Sequence, residues 1–115
     1  MSGLTRAARD VLAERQRQVD VEGFTAPYDD AHEYGDLALA ATAYAAHSCR
    51  RGAQGDVFVS RCRGPTLRAG WFDLPRLLWP WGLGWKPAEP RRDLVRAGAL
   101  ILAEIERLDR AETAA

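Results

Sequence analysis

The segment PRRDLVRAGALILAEIERLDRAE, beginning at Pro90, constrains the fold more than any other part of the chain. Proline suits the first position of a helix, where its missing N–H would have gone unbonded anyway. Leu94, Ala97, Ile101, Ile105 and Leu108 follow at helical spacing as a continuous apolar stripe, widened by Val95, Leu100 and Leu102. The pattern predicts about five turns of helix. With 115 residues the chain has room for one domain and one core.

Two further helices are legible upstream. From Thr5 to about Val19, the residues Leu4, Ala8, Val11, Leu12 and Val19 share a face, Thr5 or Ser2 supplies a cap and Gly23 a stop. Arg6 and Asp10 form a surface pair worth about a few tenths of a kcal/mol. GFTAPYDD reads as a loop because Pro27 opposes helix continuation. Asp30 and Glu33 have capping-box spacing, so a second helix is expected from there, or from Asp36 if Gly35 interrupts, to about His47. The alanines of DLALAATAYAAH allow close backbone approach and predict the most buried helix. Residues 48–70 are punctuated by Gly52, Gly55, Gly64, Pro65 and Gly70 around the short run DVFVSRC, and the tryptophan stretch is broken by Pro75, Pro80, Gly82, Gly84, Pro87 and Pro90. The expected fold is mainly α: a three-helix single domain over residues 1–115. An irregular Trp-, Pro- and Gly-rich excursion at about 48–89, with room for a small β-hairpin, precedes the last helix.

Sixteen basic against 16 acidic side chains argue against a general nucleic-acid coat. No run approaches the ~18 apolar residues of a membrane span, and MSGLTRAARD lacks the layout of a signal peptide. The expected location is the cytoplasm, where Cys49 and Cys62 are not expected to form a disulfide. Charge is uneven locally. Residues 20–36 carry six carboxylates and no Lys or Arg, whereas residues 48–70 carry five arginines against Asp56.

The stretch WPWGLGWKP carries Trp79, Trp81 and Trp85, with Trp71 and Phe72 just upstream. Two or three of these rings are expected to complete a core that alanine-rich helices leave thin. A ring left accessible beside Arg91 and Arg92 would suit a protein interface, where Trp and Arg are enriched, or base stacking.

The acidic loop DDAHE gathers Asp29, Asp30, His32 and Glu33, with Asp36 one turn on; such oxygen-rich ligation suits Mg²⁺ or Mn²⁺. Glu106 and Asp109 repeat the spacing of Glu33 and Asp36. This arrangement distantly resembles the all-α nucleotide pyrophosphohydrolases of the MazG kind, whose helices present EExxE and ExxD carboxylates to Mg²⁺ and a triphosphate. The resemblance implies a metal set of Asp29, Asp30, Glu33, Glu106 and Asp109, although aspartates stand where that family has paired glutamates. Capping and solvation of a wet helix face is the plainer reading. His32, His47, Cys49 and Cys62 contain no CxxC or HxxxH pair, the usual mark of a structural zinc site, and no GxxxxGK phosphate cradle occurs.

Taken together, RDVLAERQRQVDVEGF, DDAHEYGDLALAATAYA, WPW, WKP and RRDLVRAGALILAEIERLDR resemble a family of small phage and prophage accessory proteins. The same module forms the C-terminal part of early-region accessory proteins of lambdoid phages. The resemblance covers most of the chain outside the middle insertion; Phe24 stands where that family usually has Trp, and Tyr28 where it often has His. It implies a phage or prophage gene and a mostly helical fold, and carries no activity with it.

The expected function is binding without catalysis: docking on a host or phage protein, with inhibition of host defence of the anti-CRISPR kind as one form. The expected surfaces are Asp29, Asp30 and Glu33, and the corner of Trp85, Arg91 and Arg92. An acidic patch can cover a nucleic-acid-binding groove by imitating phosphate charge. Nucleic acid is the weaker partner for a chain of zero net charge, no membrane is expected, and thin helices leave burial that a homodimer could supply. No cofactor is expected on this reading. The alternative is a Mg-dependent MazG-like nucleotide pyrophosphohydrolase or nucleotide-binding protein.

Overall fold

Thr5 accepts a hydrogen bond from the Ala8 amide at 3.1 Å and caps the first helix, α1 (Arg6–Asp20). The computed structural model describes residues 3–49, 57–59, 70–72 and 74–114, the two β segments through their backbone. After α1 come α2 (Ala26–Asp30), α3 (Asp36–Ser48), β1 (Val57–Val59), β2 (Gly70–Phe72), α4 (Leu74–Leu78) and α5 (Pro90–Ala114). The fold is mainly helical. β1 and β2 pair antiparallel, with Phe58 opposite Trp71. Cys62 and the arginines between the strands lie outside the described residues, as do the side chains of Trp71 and Phe72.

Three local expectations change. GFTAPYDD contains the short helix α2, because Pro27 sits in its first turn, where no N–H is required. Asp30 and Glu33 do not cap α3; of the two expected starts the second holds, at Asp36 behind Gly35 in the left-handed conformation, φ 81°. α5 runs for 25 residues, about seven turns rather than five.

The core lies between α3 and α5. Leu37, Ala40, Ala41 and Tyr44 recur along one side of α3 and meet Ala97, Leu100 and Ala103 of α5. α4 packs on α3, and α1 and α2 pack on α5. Small residues on both partners let the α3 and α5 backbones approach closely. The same device operates against α1. A Cβ on Gly98 would lie 3.2 Å from both Val11 methyl groups, so only glycine fits there without displacement.

This close packing decides which faces point inward, and it corrects the pattern reading of two helices in part: Val95, Ala97 and Leu100 of the expected α5 stripe are buried, and Leu4, Ala8, Val11 and Val19 of the expected α1 face are half-buried. The buried side of α5 carries Ala97, Ala99, Leu100 and Ala103, while Leu94, Ile101, Ile105 and Leu108 are 52%, 48%, 48% and 52% exposed. On α1 the buried residues are Glu14 and Gln18, and Leu12 is 49% exposed. Alanine and glycine prevail where the backbones approach most closely, Leu37, Val95 and Leu100 are the buried branched aliphatics, and Leu94, Ile101, Ile105 and Leu108 of α5 turn outward.

Candidate functional site

The site grows from the end of α1. Gly23, at φ 78°, turns the chain so that the Phe24 amide donates back to the Gln18 carbonyl at 2.9 Å, a helix C-terminal closure through left-handed glycine. Phe24 is thereby fixed, and α2 sets Tyr28 one turn further on. Their rings stack at 5.1 Å between centroids, and the His32 ring follows at 4.5 Å from Tyr28.

A second chain segment faces this ladder. The Trp79 indole N–H donates to the Leu83 carbonyl at 3.0 Å, closing the turn WPWGL, and Gly84 reverses the chain at φ 86°. Trp81 meets His32 edge-on at 5.4 Å and Phe24 at 6.1 Å; Trp79 meets Trp81 edge-on at 5.1 Å. The rings continue inward: Trp79 lies 5.4 Å from Tyr44 and 5.2 Å from Trp85, and Trp85 lies 4.8 Å from Tyr44 and 5.8 Å from His47. Tyr44 is anchored at its hydroxyl by the Lys86 amide at 3.3 Å, with Arg96 over its ring. Trp79, Trp81 and Trp85 are half-buried against the core, as expected of most of the cluster.

Where the two segments meet, Phe24, Tyr28, Trp79, Trp81 and Leu83 line an open groove of about 460 Å³, with Glu22 at its rim. Leu83 projects from it, 88% exposed. Partial burial, then the charges of Asp29 and Asp36, raise the Tyr28 pKa; burial likewise raises that of Tyr44. Both phenols stay neutral across the physiological range.

Two ion networks hold the groove's walls. Glu14, buried in α1, is gripped by Arg17 and by Arg92 of α5, both at 2.8 Å; Arg17 and Lys86 share Glu22. Burial pushes the Glu14 pKa up, but Arg17, Arg92 and Gln18 together outweigh it and the net shift is downward. The Lys86 hydrogen bond leads in holding Glu22 down. On the other side, Arg15 donates to the Phe24 carbonyl at 3.2 Å, to Asp29 at 3.1 Å and to Glu106 at 3.0 Å. Asp29 is fully buried, and burial outweighs Arg15 and Arg110 to raise its pKa. A third tie joins α3 to α5. Buried Asp93 takes the Ala88 amide at 2.7 Å and stands 2.6 Å from His47 Nδ1.

The sequence-predicted residues fall into these networks. Asp29 faces Arg15, and Asp30 pairs with Arg110 at 2.8 Å. Exposed Glu33 shares a concavity of about 450 Å³ with Asp30, Arg107 and Arg110. Glu106 is turned to Arg15, and Asp109 is exposed on α5. Arg91 pairs with Asp10 at 2.8 Å and Arg92 with Glu14, so the expected corner with Trp85 is engaged internally by α1. Among the described residues no three His, Cys, Asp or Glu side chains are placed to hold a metal ion, and no helix is long and apolar enough to cross a membrane. The sequence marks Phe24 and Tyr28 only as departures from the family pattern and not as site residues, although the i,i+4 spacing of Phe24, Tyr28 and His32 is the mark of an aromatic ladder. Comparison of the chain with protein-family models, with curated proteins and with solved structures gives no match.

Proposed function

We propose that the chain is a non-catalytic binding protein that receives an extended, apolar segment of a protein partner in the groove of Phe24, Tyr28, Trp79, Trp81 and Leu83. The groove carries the reading: it is concave, lined by aromatic rings, and its walls are fixed by ring contacts and by arginine hydrogen bonds. Preorganised tryptophan and tyrosine supply contact area at low entropic cost, which is why such residues dominate binding hot spots. Shallow aromatic grooves suit the polyproline conformation in particular, whose backbone needs no further ordering. The partner is a host or phage protein, in keeping with the resemblance to phage accessory proteins, and inhibition of a host defence system, as by an anti-CRISPR protein, is the consequence this reading assigns to binding.

The carboxylates of the Mg-dependent alternative are met by guanidinium groups, Asp29 and Glu106 by Arg15 and Asp30 by Arg110. A metal ion would have to displace them. The test is affinity capture from host lysate by the wild-type protein and by Leu83→Asp. That substitution changes an exposed side chain and leaves the fold intact. A partner retained by the wild type and lost with Leu83→Asp supports the groove. Equal retention by both proteins, or stabilisation by a nucleoside triphosphate only when Mg²⁺ is present, overturns the reading.

A further inference from the structure

The outward aliphatics of α5 form a surface of their own. Leu94, Ile101 and Leu108 stand at equal seven-residue intervals with Ile105 between the last two, so they run down one side of the helix for about 21 Å. All four are about half exposed. Val11, packed on Gly98, and the exposed Leu12 carry the patch onto α1. Contiguous apolar surface of this kind marks an interaction site. No groove residue belongs to it.

We propose that this face binds a second copy of the chain, with the two α5 helices antiparallel about a two-fold axis at Ile101. The spacing is symmetric about that residue: Ile101 meets its own counterpart, and Leu94 of each copy meets Leu108 of the other. Charge supports the same register. At the N-terminal end of the face the exposed Arg6, Arg9 and Arg91 stand against the carboxylates of Asp10 and Glu89, which leaves one guanidinium in excess. At the C-terminal end Asp109 and Glu112 are exposed and have no ion pair among the described residues. Antiparallel pairing lays each basic end against the acidic end of the other copy, twice over, as a self-complementary two-fold interface requires. A parallel pair would set like against like. Seven-residue spacing of the aliphatics is also the repeat that two packed helices share.

The experiment is light scattering coupled to size exclusion on the purified full chain over a range of concentrations. The expected mass is twice the 12.7 kDa of one chain. Ile101→Glu, which sets two carboxylates against each other on the axis, is expected to give the monomer with an unchanged helical circular dichroism spectrum. Arg91→Glu is expected to weaken association several-fold, and adding Glu112→Arg to restore it. A wild type that stays monomeric at the highest concentration overturns the proposal, as does a dimer that survives Ile101→Glu. Failure of Glu112→Arg to rescue Arg91→Glu overturns the antiparallel register. None of these outcomes bears on the groove, so the two proposals stand or fall separately.

Discussion

Glu14 shows how a residue that looks misplaced in the pattern holds the molecule together. It lies on the buried side of α1, where Arg17 and Arg92 meet it. Its pKa and that of Glu22 are below the ordinary 4.5, so the stability they contribute is present above that value and is lost as pH falls through their folded-state pKa values. Asp29 has the opposite sign. Its folded pKa is raised above 3.8, so the native state takes up its proton first and gains relative stability as pH falls through that folded value. In urea unfolding across the acid range, Glu14→Gln is therefore expected to flatten the loss of stability and Asp29→Asn to steepen it. The reverse pattern would contradict the assignment. At Asp93, replacement by alanine strands the Ala88 amide and His47 together and is expected to cost about 3 kcal/mol, with Asp93→Asn costing less. Chemical denaturation of the two variants measures both.

At the scale of elements, the three long helices were legible, whereas the short helices α2 and α4 and the orientations of α1 and α5 were not. Thr5 as a cap, Gly23 as a stop and Pro90 as a start stand where local rules put them, because each acts through its own backbone geometry. Which face of α1 and α5 turns inward depends on the width of the gap, which belongs to the pair of helices and to neither sequence alone. Periodicity ranks Ile101 above Ala103; a narrow gap reverses that order. The same limit hid the groove. Phe24 and Trp81 are 57 residues apart in the chain, and only the left-handed turns at Gly23 and Gly84 bring their rings together. The acidic loop was legible as a cluster, but its arginine partners come from α1 and from α5, far along the chain. Gly98 gives a test at this scale. Alanine there gains up to about 1 kcal/mol of helix propensity, but both Val11 methyls stand in the way, and a β-branched side chain cannot swing one clear without moving the other. Gly98→Ala is expected to lower stability by about 1 kcal/mol and to raise it when Val11→Ala is also present. Additive effects in that double-mutant cycle would contradict the close contact.

On the scale of the whole molecule, one economy links the parts. Alanines between α3 and α5 make a thin core, the tryptophan segment thickens it from one side, and the aromatic surplus left over at its edge becomes the groove. The aliphatics that the thin interior does not take up, Leu94, Ile101, Ile105 and Leu108, become the outward face of α5. Both surfaces thus follow from the same packing decision. A photo-crosslinking amino acid placed at position 83 in the host, with position 16 on the exposed side of α1 as its control, tests the groove most directly. The expected result is a covalent adduct with one partner protein from position 83 and none from position 16. No adduct at position 83, or the same adducts from both positions, would contradict a partner bound in the groove.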